Sequence, residues 1–107
     1  MSKQFAEPNG RPDGHASPPR VSSITYSARI QEAMRYDKLY STDYPLVISI
    51  LNAVTRGLTP EQWQEEEHRR ITRLTNQAPD KERTHADMVN RYEQTISNLR
   101  DLQLWPW

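Results

Sequence analysis

The chain has 107 residues, 14 Lys and Arg against 14 Asp and Glu, 35% apolar residues, a mean hydropathy of -0.95 and no cysteine. That length bounds it to one domain at most, the missing cysteine excludes a disulfide framework and thiolate chemistry, and the zero net charge argues against a dedicated nucleic-acid binder and against an acidic DNA mimic. No apolar run approaches the roughly 18 residues of a membrane span and no apolar leader is present, so a cytoplasmic protein without a cofactor is expected.

Residues 1–22 hold Pro8, Pro12, Pro18, Pro19, Gly10 and Gly14, with Phe5 as the one large apolar residue besides Met1 and Val21. A stretch of this kind buries too little surface to offset the entropy of ordering it, and a disordered N-terminal arm is expected. The remainder, residues 23–104, is expected to fold as an all-α domain, a small bundle of three to four helices, with an aromatic tail over residues 105–107. At that size and apolar content the core is lean, so a partner or a second copy is expected to complete it.

Ser22 or Ser23 is positioned to cap a first helix running to about Tyr40, with Ile24, Ala28, Ile30, Ala33, Met34 and Leu39 as a loose apolar stripe. Tyr36, Tyr40 and Tyr44 follow one another at spacings of four and read as a packing ladder or an interface. Asp43 is the expected cap of a second helix, with Pro45 in its first turn. Leu46, Val47, Ile50, Leu51 and Val54 form the stripe of this helix and Ile48 widens it. Almost no charge falls between Pro45 and Thr55, so this helix is expected to be buried on most sides and to be the hydrophobic centre.

The segment Gly57–Trp63 is the most strongly specified corner of the chain. Gly57 suits a left-handed helix ending, and Pro60 suits a first helical position. Thr59-x-x-Gln62 is a capping box, and Leu58 with Trp63 occupies the two positions of a hydrophobic staple. A third helix is expected from Pro60 to about Gln77 on a thin stripe of Trp63, Ile71, Leu74 and Ala78. Its acids precede its bases, in accord with the helix dipole, and Glu65–Arg69 and Glu66–Arg70 are spaced as ion pairs. After Pro79, Asp80 caps a fourth helix from Lys81 to about Leu102, whose face is Val89, Tyr92, Ile96 and Leu99, widened by Met88 and Leu102.

Three kinds of chemistry compete. Glu65-x-x-His68 and Glu82-x-x-His85 have the ligand spacing of di-iron carboxylate bundles, but the second helix supplies no further glutamate. In a hairpin turning near Pro79, moreover, the first pair lies opposite residues near 90 to 93, and Glu65 sits about 200° around the helix from Trp63. No metal ligand set is therefore assigned. Arg69, Arg70 and Arg73 offer a phosphate-binding face for a helix–turn–helix regulator, although that helix begins in four glutamates, so nucleic acid is the alternative reading. No nucleophile, Gly-rich phosphate loop or H-E-x-x-H motif is present, and no enzyme is expected. The leading expectation is a non-catalytic protein-interaction module, an adaptor, inhibitor or accessory subunit. Leu104, Trp105 and Trp107, then Tyr36, Tyr40 and Tyr44, are its expected contacts with another protein or a second copy, because aromatics dominate interface energetics.

Overall fold

A computed structural model describes residues 18–107, which form four α-helices and one short 3-10 turn, with no strand among them. The helices are α1 (Ser23–Arg35), α2 (Tyr44–Arg56), α3 (Pro60–Asn76) and α4 (Lys81–Asp101), and the 3-10 turn Ser41–Asp43 leads into α2. The all-α bundle expected from the periodicity is the observed fold. The disorder expected of the N-terminal arm falls mostly on residues 1–17, outside the described residues.

Local chemistry sets most helix boundaries. Ser22 Oγ accepts from the Thr25 N–H at 3.1 Å and opens α1. Thr59 Oγ1 accepts from Gln62 N at 3.2 Å while Gln62 Oε1 accepts from Thr59 N at 2.9 Å, so the capping box of α3 is complete. Asp80 Oδ1 accepts from Arg83 N at 3.2 Å and opens α4. Gly57 closes α2 at φ 73°, with the Leu58 N–H returning to the Ala53 carbonyl at 3.0 Å. Two further helices end in the same way without glycine. Asp37 (φ 56°) lets Lys38 N reach Ala33 O at 2.9 Å, and Gln103 (φ 60°) lets Leu104 N reach Leu99 O at 2.7 Å. This is the left-handed ending that satisfies the last free carbonyls of a helix.

The early left-handed turn at Asp37 corrects the expected extent of α1, which stops at Arg35 rather than near Tyr40. The Tyr36, Tyr40 and Tyr44 ladder is therefore interrupted. Tyr36 and Tyr40 leave the helix and are 62% and 69% exposed, while Tyr44 begins α2 and packs against the core.

The N-terminal half of α1 and the C-terminal half of α2 line one groove, so these two helices form an antiparallel hairpin. In the α3–α4 hairpin, Trp63 near the start of α3 stacks on Tyr92 in the second half of α4, at 5.6 Å between ring centroids. The core lies where the hairpins meet. Ile50, Ala53, Trp63, Tyr26 and Leu99 are almost wholly buried there, flanked by Val47, Val54, Ile30 and Leu46.

The C-terminal segment belongs to this core. Leu104, Pro106 and Trp107 are buried, and Trp107 Nε1 donates to the Leu58 carbonyl at 2.9 Å. Arg20 N donates to Pro106 O at 2.7 Å and Val21 packs on the core. The folded unit therefore extends past both expected limits, residues 22 and 104.

Candidate interaction surface

Two buried polar centres and one exposed, uncharged groove stand out on this scaffold. The first polar centre joins α2 to α3. Trp63 Nε1 donates to Ser49 Oγ at 3.0 Å, and the Ser49 hydroxyl donates to Glu67 Oε2 at 2.6 Å. The Arg70 guanidinium donates to Glu67 Oε1 at 3.0 Å and 3.3 Å. Glu67 is 5% exposed. A buried carboxylate is costly unless its lone pairs are met, and here a hydroxyl and a guanidinium meet both oxygens. Burial, with the Glu67 carboxylate close by, pushes the Tyr92 hydroxyl up to about 12. The inner stripe of α3 is thus Trp63, Glu67, Ile71 and Thr75 at spacings of four. Leu74, expected inside, is turned outward, because the 3.6-residue period puts it beside that line and not on it.

The second centre is Asp43. It was expected to cap α2, yet its side chain makes no hydrogen bond to the first turn of that helix. Its carboxylate instead accepts from Tyr40 N at 3.0 Å, from the Thr95 hydroxyl at 2.8 Å and from Asn98 Nδ2 at 3.1 Å. Asp43 and Thr95 are 4% and 2% exposed. The carboxylate therefore staples the turn before α2 to the middle of α4. Nothing in the local spacing indicates this, since Thr95 and Asn98 are 52 and 55 residues away.

The aromatic cluster is interior. Trp63 stacks on Tyr92 and on Trp107 with centroids 5.6 Å apart in each pair, and it meets Trp105 edge-on at 5.8 Å. Trp105 is half-buried beneath the Arg100 guanidinium, which lies 4.8 Å over its ring. Of the residues expected to meet a partner, Leu104 and Trp107 are therefore core residues here, because the left-handed turn at Gln103 folds the segment back onto Leu58 and Trp63. Tyr36 and Tyr40 remain outside.

The arginine face is largely engaged within the chain. Arg69 pairs with Glu65 at 3.0 Å and Arg70 with Glu67, while Arg73 stands exposed. Glu66, expected to pair with Arg70, instead takes two hydrogen bonds from Arg56 across the α2–α3 corner, at 2.9 Å and 3.0 Å. Those bonds hold its carboxyl below the usual carboxylate value. Glu65 and His68 are exposed on α3, as are Glu82 and His85 on α4. Among the described residues, no group of three or more His, Asp or Glu side chains gathers as a metal site requires. No helix among them is long and apolar enough to cross a membrane.

The groove lies on the outer side of α1 and α2. Ile24, Ser27, Ala28 and Gln31 line it from α1, and Leu51 and Thr55 from α2. Ile24 is 83% exposed, and Ile48, one turn before Leu51, is 66% exposed. This corrects the expectation that α2 is buried on most sides and that Ile48 widens its core stripe. The inner face of α2 is Leu46, Val47, Ile50, Ala53 and Val54, with Leu51 half-buried against the same core as expected, while Ile48 and Thr55 are exposed on the outer side with the edge of Leu51 between them. The shortage of charge in α2 was the visible signal. It has two physical causes, burial inside the fold or an uncharged outer face, and periodicity alone does not separate them. No protein-family model, curated protein or solved structure matches the chain, so the functional reading rests on this geometry.

Proposed function

We propose that the chain is a non-catalytic protein-interaction module that works through the outer α1–α2 face. One observation carries this reading: Ile24 and Ile48 are largely exposed beside a groove whose lining holds no ionisable side chain. Single exposed apolar residues are ordinary, but a connected, uncharged strip across two helices is the pattern of an interface centre. Such a groove suits an amphipathic helix, which lays its apolar face between the two. The exposed Tyr36 and Tyr40, in the turn that follows α1, supply further contact residues of the kind that dominate binding energy. Both buried polar centres already spend their donors and acceptors inside the fold.

The experiment is sedimentation of the chain at native abundance in extract of its source cells. An assembly heavier than the 12.6 kDa chain that disperses when Ile24→Glu and Ile48→Glu are combined supports the reading. A monomer in the extract, or an assembly indifferent to both changes, overturns it.

A further inference from the structure

A cleft of about 290 Å³ opens where the 3-10 turn and α2 meet the α3–α4 hairpin. It shares no residue with the outer α1–α2 groove. Most of its lining is apolar, supplied by Pro45 and Leu46 of α2 and Met88 of α4. Its polar groups come from the hairpin: Arg70 of α3, with Arg91 and Tyr92 of α4. An apolar concavity with a few convergent polar groups is the usual form of a small-molecule site.

The donors on this lining are held in place by the fold. Arg70 is fixed through the first buried polar centre. Its Nε and Nη2 donate to Glu67 Oε1, and Glu67 is itself held by the Ser49 hydroxyl. The buried members of that centre are thereby satisfied. The Arg70 side chain, 40% exposed, keeps its Nη1 N–H groups without a hydrogen bond among the described residues. Tyr92 is fixed by its stack on Trp63. The burial that pushes its hydroxyl up to about 12 keeps it a phenol at neutral pH, and so an O–H donor. Arg91 stands exposed at the mouth. Donors locked before a ligand arrives lose little entropy on binding it.

The acids around the cleft are already answered. Glu67 and Asp43 lie behind Arg70 and Thr95, and each accepts from at least two side chains of the fold. Asp87 shares the lining but is 70% exposed, and Arg83 offsets it in part at 3.9 Å. The second guanidinium, Arg91, has no carboxylate partner among the described residues. The unspent hydrogen-bonding capacity is therefore that of donors, two of them guanidinium groups suited to a carboxylate.

We propose that this cleft binds a small amphipathic carboxylate, its head on Arg70, Arg91 and the Tyr92 hydroxyl and its apolar body against Pro45, Leu46 and Met88. At the roughly 30 Å³ that a water molecule occupies in the liquid, the cleft has room for about ten non-hydrogen atoms. The site stands whether or not the α1–α2 face binds a protein.

Phenylacetate, with its aromatic ring for the Met88 thioether, is a probe of that size. In an amide NMR titration of the full chain it is expected to shift the signals of Met88, Arg91 and Tyr92 saturably, with a dissociation constant of about 1 mM. Phenylacetamide and phenethylamine, which keep the ring and lose the negative charge, are expected to bind about fivefold more weakly or worse, and so is acetate, which keeps only the head. Arg91→Gln is expected to weaken phenylacetate about fivefold with an unchanged thermal midpoint, because the residue is exposed. Arg73→Gln, an exposed charge outside the cleft, is expected to leave binding as it is. No saturable shift up to about 20 mM, or shifts that avoid these three residues, overturns the proposal. So does an equal response to phenethylamine or to acetate, the latter marking an adventitious anion only, and so does equal weakening by Arg73→Gln.

Discussion

The α1–α2 and α3–α4 hairpins place their unusual residues on opposite sides. In α1–α2 the unusual residues are apolar and outside, Ile24 and Ile48. In α3–α4 they are polar and inside: Glu67, Thr75 and Thr95. The energetic consequences differ. An exposed isoleucine leaves the fold almost unaffected, because the unfolded chain exposes it too. A buried carboxylate or hydroxyl destabilises the fold unless hydrogen bonds replace water. Among the described residues nearly every buried polar side chain has such partners, the exceptions being the Thr75 hydroxyl and the Tyr26 hydroxyl of α1. The interior of α3–α4 thus reads as architecture, and the exterior of α1–α2 as surface available for association.

The most severe way to break this contrast is at Trp63, where both hairpins and the C-terminal segment meet. Trp63→Ala is expected to cost about 3–5 kcal/mol in urea unfolding, enough to threaten a domain of this size. A loss under about 1 kcal/mol is incompatible with the core described. Asp43→Ala comes next, at about 2–4 kcal/mol, since it strands the Thr95 hydroxyl and two further donors. Asp43→Asn is expected to lose much less, because its amide oxygen can replace Oδ2 as the acceptor for Tyr40 N and Asn98 Nδ2 while its amide N–H donates to the Thr95 hydroxyl, which turns to accept. Equal stability of Asp43→Ala and the parent in thermal unfolding excludes the staple.

A smaller effect sharpens the corner between the hairpins. No atom stands within 4 Å of a Cβ built on Gly57, so only its φ of 73° opposes a side chain. Gly57→Ala is expected to cost about 1 kcal/mol, and Gln103→Gly, at the same conformation, to add up to about that much stability less the chain entropy of glycine. Opposite signs in paired denaturation curves confirm the shared ending. The smallest effect makes the most direct comparison of inside and outside. Ile48→Ala, measured at concentrations where the chain is monomeric, is expected to stay within about 0.5 kcal/mol of the parent, whereas Ile50→Ala, two residues along, costs about 2–5 kcal/mol. Comparable losses at the two positions place Ile48 in the core and remove the proposed surface.

Much of this fold was legible before any coordinates, and the legible parts share one property. The Ser22 and Asp80 caps, the Thr59–Gln62 box and the Gly57 ending each involve groups within about five residues of one another. Their geometry follows from backbone stereochemistry and short side chains, so residue type alone determined them. The Asp37 and Gln103 endings obey the same stereochemistry but employ residues that only tolerate it, and so left no signal. The amphipathic stripes likewise indicated an all-α fold of three to four helices, and four are observed. Tertiary structure decided which of two apolar strips on α2 faces inward, and that Glu67 and Asp43 are buried. It also decided between the two fates open to the aromatic C-terminal segment, folding back on the bundle or standing out as a docking element, by burying Leu104, Pro106 and Trp107. Those outcomes depend on groups 14 to 55 residues apart. A buried carboxylate is tolerated only where another element delivers its partners, and the strip of Ile48 stays outside because none of the described elements packs over it.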